Sequence, residues 1–274
     1  MAVISVVIPS LNDAVLLEQC LAALAAQTRR ADEIVVVDNG STDNTAEVAR
    51  AAGARVVVEL QRGIPAATAA GFDAAKGTLI GRLDADSIPT PGWIAEFERR
   101  FERDQGLSAV TGPGYFYGAN RLIRRAGEVL YIGGYFWSMG WLLGHPPLFG
   151  SNFAIRKSAW LHIRETAHRD VRELHDDLDF SFQFTVAMRV EYDKRMRVGV
   201  SARPFSTAAG LRRRLRWAYT TIATNSREQS LFSRRAERMK WARVHAHAVP
   251  IFVGDELGNE QSQDDLGGAG FGTK

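Results

Sequence analysis

The chain has 274 residues, of which 46% are hydrophobic and 24% are charged, and its formal net charge is +3. This size and composition fit a soluble α/β protein with a real core, built as one large domain or two small ones. One cysteine, Cys20, excludes a disulfide within the chain and fits a reducing compartment, so we expect a buried structural thiol and a cytoplasmic location. A transmembrane helix of about 20 apolar residues is not expected, because glycines interrupt the nearest candidate, 129–143.

Predicted strands and helices alternate through the first ninety residues. The strands are predicted at 4–9, 33–37, 55–58 and 79–83, with helices between them that end near residues 26, 52 and 77. Asn12 or Asp13 can cap the first helix, and Pro65 suits the first turn of the third. This order predicts a mostly parallel sheet with helices on both faces.

Three polar clusters follow these strands at 10–13, 38–43 and 84–86. Ligands bind beyond the carboxyl ends of the strands in open parallel sheets, so the clusters predict one acidic cleft. Asp84 and Asp86 are separated by one residue, and their side chains therefore point to the same side of a strand end. Two such carboxylates repel each other, and a divalent cation that prefers oxygen ligands would relieve the repulsion. A polar loop after a strand is the alternative.

The motifs of other nucleotide-binding classes are missing. A dinucleotide-binding domain needs Gly-x-Gly-x-x-Gly after the first strand, where this chain has Pro9-Ser10-Leu11-Asn12-Asp13. No Gly-x-x-x-x-Gly-Lys-Ser/Thr segment is present, and the first turn is not the basic glycine-rich turn of a sugar nucleotidyltransferase. Dinucleotide-binding and P-loop proteins are therefore not expected.

Three segments, 6–12 (VVIPSLN), 37–45 (VDNGSTDNT) and 83–86 (LDAD), follow one another in a specific order and spacing. Together they resemble family 2 glycosyltransferases, which have the GT-A fold. The resemblance implies an α/β fold: a single Rossmann-like domain with a mostly parallel mixed central sheet flanked by helices. It assigns residues 1–250 to this domain, with a nucleotide-sugar-binding half at 1–90 and an acceptor-binding half with basic C-terminal helices at 91–250. Residues 251–274 are expected to form a disordered tail.

The resemblance also implies a donor site. Asp38 would hydrogen-bond the base of a UDP- or GDP-sugar and Arg62 would lie beside the base and phosphates, although a turn-capping Asp38 and a solvated Arg62 are alternatives. Asp86 would bind Mn²⁺ or Mg²⁺ directly, and Asp84 would contact the ribose or a metal-bound water. The other donor-binding residues are Pro9, Ser10, Asn12, Ala85 and Arg216, and His175 is a candidate for a further metal ligand.

An acidic run at a predicted helix start, His175-Asp176-Asp177-Leu178-Asp179, resembles the Glu-Asp-x-Asp motif of the family, with Asp176 in place of Glu. The match makes Asp177 the catalytic base that takes the proton of the acceptor hydroxyl. Asp176 is the alternative base, because three neighbouring acids leave the register open. Attraction to the helix N-terminus would also explain these acids.

Two more segments resemble acceptor-side motifs of the family. Gly150 to Arg156 resembles Gly-x-Asn-x-Ala-x-Arg, in which Asn152 would orient the acceptor or the Asp-x-Asp loop, or else satisfy buried backbone. Residues 213–217 resemble Gln-x-x-Arg-Trp with an arginine in place of Gln, so that Arg216 would hold the diphosphate and Trp217 would touch the acceptor. Processive synthases carry the full motif and usually transmembrane helices, so the chain is expected to transfer single sugars.

The resemblance therefore implies a metal-dependent inverting glycosyltransferase that moves one sugar from a nucleotide-diphosphate sugar to a hydroxyl acceptor. A lipid-linked sugar and a cell-envelope or exopolysaccharide intermediate are candidate acceptors. A retaining GT-A transferase is the alternative enzyme. A protein that binds an anionic polymer through its basic C-terminal region is the alternative from another class, and no specific nucleic-acid partner is expected.

A basic amphipathic helix is predicted at 234–243. A solvated charged face is its simplest interpretation. Because each Lys or Arg near an anionic bilayer adds about 1 kcal/mol of attraction, peripheral docking at the inner face of the membrane is the second.

Overall fold

The computed structural model describes residues 1–118, 125, 127–201 and 208–244. The strands in this part of the chain are β1 (Ile4–Ser10), β2 (Glu33–Asp38), β3 (Arg55–Val58), β4 (Leu79–Arg82), β5 (Ile88–Pro89), β6 (Leu107–Thr111), β7 (Gly114–Tyr117), β8 (Phe153–Arg156), β9 (Arg189–Tyr192) and β10 (Val198–Ser201).

The helices alternate with the strands in the first half and cluster in the second. They are α1 (Ala14–Ala25), α2 (Thr45–Ala51), α3 (Ile64–Ala74), α4 (Trp93–Arg103), a π-helical segment (Gly127–Gly133), α5 (Gly134–Leu143), α6 (Lys157–Ile163), α7 (Asp176–Gln183), α8 (Ala208–Glu228) and α9 (Leu231–Val244).

The central sheet has seven strands in the order β3-β2-β1-β4-β8-β6-β9, and β8 runs antiparallel to both of its neighbours. The pairs of β1 with β2, β1 with β4, β2 with β3 and β6 with β9 are parallel. Ser10 lies opposite Asp38, and Val7 lies opposite Arg82. This register brings the carboxyl ends of β1, β2 and β4 to one edge of the sheet. A second sheet has the order β5-β10-β7.

Side chains of the central strands alternate between two apolar layers, as a sheet covered on both faces requires. Val6 and Ile8 pack in one layer with Cys20 of α1, and Val7 and Val35 pack in the other with α3. Each such fully buried side chain contributes about 1.5–3 kcal/mol of hydrophobic stabilisation. Cys20 is the buried thiol that the sequence predicts, and burial raises its pKa.

The predicted alternation of strands and helices in the first half is confirmed, with one difference at the first helix. The side-chain oxygens that accept from the helix starts belong to Asp43 and not to Asn12 or Asp13. Asp43 Oδ2 accepts from the backbone N–H of Ala14 at 3.3 Å, and Oδ1 accepts from that of Thr45 at 3.0 Å. One carboxylate therefore serves the first turns of both α1 and α2.

The predicted basic helix at 234–243 lies within α9, but part of its charge points inward. Arg234 donates to the carbonyl of Phe182, and Arg235 donates to the carbonyl of Trp141. Arg238 is 9% exposed and donates to the carbonyls of Phe184 and Thr185 at 3.0 and 2.7 Å. These three arginines attach α9 to the molecule, so the solvated charged face predicted for this helix is limited to its other charged residues, which include exposed Lys240 and Arg243.

Helices long and apolar enough to cross a membrane do not occur among the described residues. The candidate segment 129–143 forms part of the π-helical segment and α5. The tail predicted at 251–274 lies outside the described residues.

Candidate active site

Asp38 ends β2, and Arg62 lies in the 59–63 loop, next to the turn that follows this strand. Asp38 Oδ1 accepts from the backbone N–H of Ser41 at 2.8 Å, so the turn-capping role is present. The amide of Asn39 donates to the carbonyls of residues 59 and 61 and accepts from the N–H of residue 63, which holds the 59–63 loop against the turn. A Cβ atom on Gly40, whose φ is +78°, would lie 3.3 Å from Arg62 Cζ. The guanidinium group therefore covers Gly40, two residues from Asp38.

The loop after β1 is fastened to the same turn by Asn12. Its Oδ1 accepts from the backbone N–H of Thr42 at 2.7 Å, and its own N–H donates to Ser41 Oγ at 3.0 Å. Ser10 is 4% exposed, and its hydroxyl has no hydrogen-bond partner within the described residues. Pro9 lies beside it, opposite Val37 in the sheet. A buried hydroxyl without a partner is uncommon in folded proteins, and this one lies at the strand end where the donor site is predicted.

A small cavity beyond the end of β4 is lined by Asp84, Asp86, Ser151, Tyr131 and Arg214. Asp84 accepts from Ser151 Oγ and from Arg82 Nη1, each at 2.5 Å. Burial opposes ionisation of Asp84, but Arg82 and Ser151 outweigh it and hold the pKa of this carboxyl below its usual range.

The residue between the two aspartates, Ala85, is 4% exposed, whereas Asp84 and Asp86 are half-buried. This alternation is the one expected where a strand ends. Tyr117 of β7 donates its hydroxyl to the backbone carbonyl of Asp86 at 2.8 Å, which fixes the end of the Asp-x-Asp segment from the second sheet.

Asp176 lies beneath the cavity, at the start of α7, and is 4% exposed. Its Oδ2 accepts from Thr68 Oγ1 at 2.6 Å and from Arg82 Nη2 at 3.1 Å. These contacts tie α7 to α3 and β4. With this carboxylate engaged below the surface, Asp176 is poorly placed for the role of base that the sequence left open for it.

Asp177 is half-buried and is the better placed of the two acids. Its Oδ2 accepts from the backbone N–H of Gly150 at 2.6 Å, and Oδ1 accepts from the N–H of Leu178 at 2.8 Å. Burial and the neighbouring charge of Asp176 raise the pKa of the Asp177 carboxyl, against the opposing effect of Arg82. A carboxylate whose pKa is raised in this way is a better proton acceptor near neutral pH.

Asn152 is fully buried, and protein groups occupy its side chain. Its Oδ1 accepts from Trp93 Nε1 at 2.7 Å, and its Nδ2 donates to the carbonyls of Pro113 and Met196 at 2.9 and 2.5 Å. Direct contact with an acceptor, one of the two roles predicted for it, is not compatible with this burial. Asn152 instead satisfies backbone carbonyls and holds neighbouring elements in place.

One face of α8 is directed at the start of α7. His175 donates its backbone N–H to Thr221 Oγ1 at 3.0 Å and bonds the carbonyl of Arg214 through Nε2 at 3.1 Å. Trp217 packs edge-on against the His175 ring at a centroid distance of 6.0 Å. The Trp217 Nε1 group is buried, with no hydrogen-bond partner in the described part of the chain.

The side chains of Arg216 and Arg214 point to different parts of the molecule. Arg216 is exposed and pairs with Glu173 at 2.7 Å, whereas Arg214 lines the cavity with Asp84 and Asp86. Arg214 also lowers the pKa of Asp84. The cation that faces the predicted metal site is therefore Arg214, two residues before the predicted diphosphate ligand.

The sequence profile of glycosyl transferase family 2 matches residues 5–164. This chain belongs to that family. The matched region begins at the second residue of β1, extends past β8 and includes Asp38, Asp84 and Asp86.

Several proteins are similar to this family 2 chain. Glycosyltransferase AglE of Haloferax volcanii is 32% identical over 119 residues, which are 40% of this chain and 36% of that protein. The undecaprenyl-phosphate 4-deoxy-4-formamido-L-arabinose transferase of Pseudomonas paraeruginosa is 40% identical over 118 residues, 39% of this chain and 34% of that protein. An uncharacterised glycosyltransferase of Mycobacterium tuberculosis is 40% identical over 109 residues, 40% of this chain and 47% of that protein. The chain thus matches only about a third to a half of the length of these relatives.

Among solved structures, glucosyl-3-phosphoglycerate synthase from M. tuberculosis, in complex with Mn²⁺, UDP and phosphoglyceric acid, superposes with a TM-score of 0.58 at 21% identity. The superposition covers 82% of this chain and 78% of that one. The same synthase with Mn²⁺, UDP and glucosyl-3-phosphoglycerate gives a TM-score of 0.56. The chain has the GT-A fold, and the fold class predicted from the sequence is confirmed.

The chemistry of the cavity of this family 2 chain fits a hard divalent cation. Among the charged side chains that line it, the carboxylates of Asp84 and Asp86 outnumber the guanidinium group of Arg214. No group of three His, Cys, Asp or Glu side chains that could hold a metal ion occurs in the described ranges, so His175 does not form such a group with Asp84 and Asp86. Two carboxylates suffice for Mg²⁺ or Mn²⁺ when substrate phosphates and waters supply the other oxygens.

Sequence reasoning missed three residues at this site: Arg82, Ser151 and Arg214. In the sequence Arg82 is one polar residue in a buried strand, and two of its three acidic neighbours, Asp176 and Asp177, come from a distant segment. Arg214 could have been found from helical spacing, because residues 214, 217, 221 and 225 share the face of α8 that contacts His175 and Asp179.

Proposed function

We propose that this chain is a metal-dependent, inverting glycosyltransferase that moves one sugar from a nucleotide-diphosphate sugar to a hydroxyl acceptor. The observation that carries the proposal is the placement of Asp177. This carboxylate of raised pKa is joined through Gly150 and Arg82 to Asp84, which lines the cavity with Asp86. A proton acceptor and an oxygen-rich cation site thus share one edge of the sheet.

The donor half is assigned to residues 1–90. Asp38 and Arg62 would hold the base, with Ser10 and Asn12 on the neighbouring strand end. Mn²⁺ or Mg²⁺ held by Asp86 and Asp84 would neutralise the diphosphate and the charge that develops on it. The solved neighbour binds UDP with Mn²⁺, so we take UDP as the first candidate and GDP as the second. Arg214 takes the place of Arg216 as the cation nearest the diphosphate.

In the proposed reaction, the oxygen of the acceptor hydroxyl attacks the anomeric carbon on the face opposite the diphosphate. The new C–O bond forms while the bond from the anomeric carbon to the phosphate oxygen breaks, and its electron pair leaves with the nucleoside diphosphate. Asp177 takes the proton of the acceptor hydroxyl. Because attack and departure occur on opposite faces, the configuration inverts.

The acceptor half is assigned to residues 91–250, and we infer a lipid-linked or cell-envelope acceptor. One relative is named for its undecaprenyl-phosphate substrate. Exposed aromatic and aliphatic side chains lie on the helices of this half, where Trp137 is 74%, Leu215 62% and Tyr219 74% exposed. Leu211, Leu215 and Tyr219 follow helical spacing on α8, with exposed arginines at 212, 213 and 216 between them. This composition suits an anionic bilayer surface at the cytoplasmic side.

The test of the donor site is a thermal-shift panel with UDP, GDP, CDP and dTDP, each with and without Mn²⁺. We expect the melting temperature to rise by about 5 °C with one nucleotide, and only with Mn²⁺, at ligand roughly 100-fold above Kd. Asp86→Asn should abolish the rise. The control is Asp73→Asn, which removes a carboxylate of α3 that pairs with Arg169. This variant should keep the rise in melting temperature.

The stereochemistry is tested by NMR of the glycoside product, whose anomeric configuration should be opposite to that of the donor. A retained configuration would support the retaining alternative and remove the role of base from Asp177. No thermal shift with any nucleotide would contradict the whole proposal.

A further inference from the structure

Arg82 is a charged residue in a place where the strand pattern calls for an apolar one. It closes β4, next to buried Leu79 and Ile80, and is only 1% exposed. Three acidic side chains influence it: Asp84 on its own segment, and Asp176 and Asp177 at the start of α7. A buried guanidinium group is retained only where its charge and its N–H groups find partners.

The two ends of the guanidinium fork bind different halves of the site. Nη1 donates to Asp84 Oδ1 at 2.5 Å and also to the carbonyl of Gly150. Nη2 donates to Asp176 Oδ2 at 3.1 Å, across 94 residues of sequence. The same glycine donates its N–H to Asp177 Oδ2. Arg82 therefore contacts the donor-side carboxylate Asp84 directly, and it reaches the base Asp177 through Gly150 and through Asp176, the residue before the base.

Arginine suits this position better than any other cation. Its planar fork can hold two carboxylates in fixed directions, whereas the ammonium of a lysine is a single point of charge on a flexible stem. A role in packing alone would not need partners on both sides of the cleft.

We propose that Arg82 is a positioning residue that sets Asp84 relative to α7, so that Asp176, which lies below the cavity, controls how well Asp84 and Asp86 bind a divalent cation with a nucleoside diphosphate. This proposal rests on the proposed function, because it takes the cavity as the cation and diphosphate site. It assigns to Asp176 a function different from that of the base. Asp176 anchors the far end of the bridge, and Thr68 holds Asp176 in turn.

The test measures Mn²⁺ binding directly, by the loss of the electron paramagnetic resonance signal of free Mn²⁺ in the presence of UDP or, if the wild type prefers it, GDP. The variants are Asp176→Asn, Arg82→Met, Arg82→Lys and the double variant Arg82→Met/Asp176→Asn. Asp193→Asn is the matched control, since Asp193 is a 3% exposed carboxylate that pairs with Arg100 of α4. It directly follows β9, which lies three strands from β4 in the sheet. Circular dichroism checks that each variant is folded.

We expect Asp176→Asn to weaken Mn²⁺ binding about tenfold, and Arg82→Met to weaken it at least as much. The double variant should bind no more weakly than Arg82→Met, because both changes break one bridge. Arg82→Lys should keep the melting temperature near that of the wild type but bind Mn²⁺ as weakly as Asp176→Asn, which a packing role would not predict. Asp193→Asn should bind as the wild type does.

Two results would overturn the proposal. The first is that Asp176→Asn binds Mn²⁺ within twofold of the wild type, or that the losses of Mn²⁺ affinity in the two single variants multiply in the double variant. Either outcome would show that the bridge through Arg82 does not control cation binding, although the cation site itself is present. If the wild type binds no Mn²⁺ with either nucleotide, the proposed function fails, and the role of Arg82 fails with it. Because Asp176→Asn keeps the buried arginine, its Mn²⁺ affinity can be interpreted even if Arg82→Met does not fold.

Discussion

At the scale of single residues, Gly150 is the residue that connects Arg82 to Asp177. Its carbonyl accepts from Arg82, and its N–H donates to Asp177. A Cβ atom at this position would lie 3.0 Å from both Arg82 Nη1 and Asp177 Oδ2. Gly150 can join the two side chains only because it has no side chain that would stand between them.

Replacement of Gly150 by alanine should therefore displace Asp177 and Arg82 together. We expect kcat/KM for release of UDP from a UDP-sugar to fall about 100-fold, since a shift of about 1 Å in a reacting group has that effect. The control is Gly92→Ala, because Gly92 has a negative φ and open space around its Cβ position. Equal losses in the two variants would show that Gly150 has no special place in the site.

The sequence predicted many of these residues but not their contacts. The motifs brought Asp38, Asp84, Asp86 and Asp177 to strand and helix ends on one edge. They could not show that Asn152 is fully buried or that Arg216 turns to Glu173. Both outcomes depend on packing between segments far apart in the chain, which a local pattern does not encode.

At the scale of elements, α7 and α8 are joined by a charged histidine. His168 Nδ1 bonds Asp179 Oδ1 of α7 at 2.7 Å, and Nε2 bonds Glu228 Oε1 of α8 at 2.9 Å. Asn225 of α8 donates to the same oxygen of Asp179 at 2.9 Å. Hydrogen bonding to Asp179 is the largest cause of a rise in the pKa of His168 to about 9, and burial opposes it.

A pKa raised on folding stabilises the folded protein only while the histidine is protonated. The contribution of His168 is complete below its unfolded pKa of about 6.5 and is lost as the pH rises through about 9. We expect the difference in unfolding free energy between the wild type and His168→Gln to shrink by about 2 kcal/mol over this range, after allowance for screening at exposed Glu228. Urea unfolding at several pH values measures it, and a difference that does not vary with pH would contradict the charged bridge.

The elements of the first half follow from alternation of apolar strands and amphipathic helices, which is a local signal. The elements of the second half do not, because β8 enters the sheet antiparallel between β4 and β6, and β5, β7 and β10 form a sheet of their own. The basic pattern of α9 was visible in the sequence, but its inward arginines were not. These arginines donate to backbone carbonyls, and because every residue has a backbone carbonyl, the sequence does not indicate which ones will accept.

At the scale of the whole molecule, the two halves present different surfaces. The strand ends of the first half form an acidic cleft. The helices of the second half expose aromatic and aliphatic side chains beside arginines, with Trp137 and Trp141 one helical turn apart on α5. A transfer to a lipid-linked acceptor would use both surfaces at once.

Vesicle sedimentation tests the second surface. We expect the protein to bind vesicles that contain phosphatidylglycerol, but not vesicles of phosphatidylcholine alone, and to bind less at high salt. The double variant Trp137→Ser/Leu215→Ser should weaken binding at least about tenfold. Val15→Ser, at a 72% exposed position on α1, is the control. Sedimentation of the double variant equal to that of the wild type would exclude this surface from membrane contact.

The role of Asp177 as the base is tested by comparing the turnover of Asp177→Asn with its binding of UDP and Mn²⁺. Asparagine keeps the size of the side chain but cannot take a proton. We expect the variant to bind UDP with Mn²⁺ within about threefold of the wild type, while transfer, followed as UDP release from the donor sugar, falls roughly 1,000-fold. Turnover within tenfold of the wild type, with donor binding intact, would contradict Asp177 as the base and the inverting reaction with it.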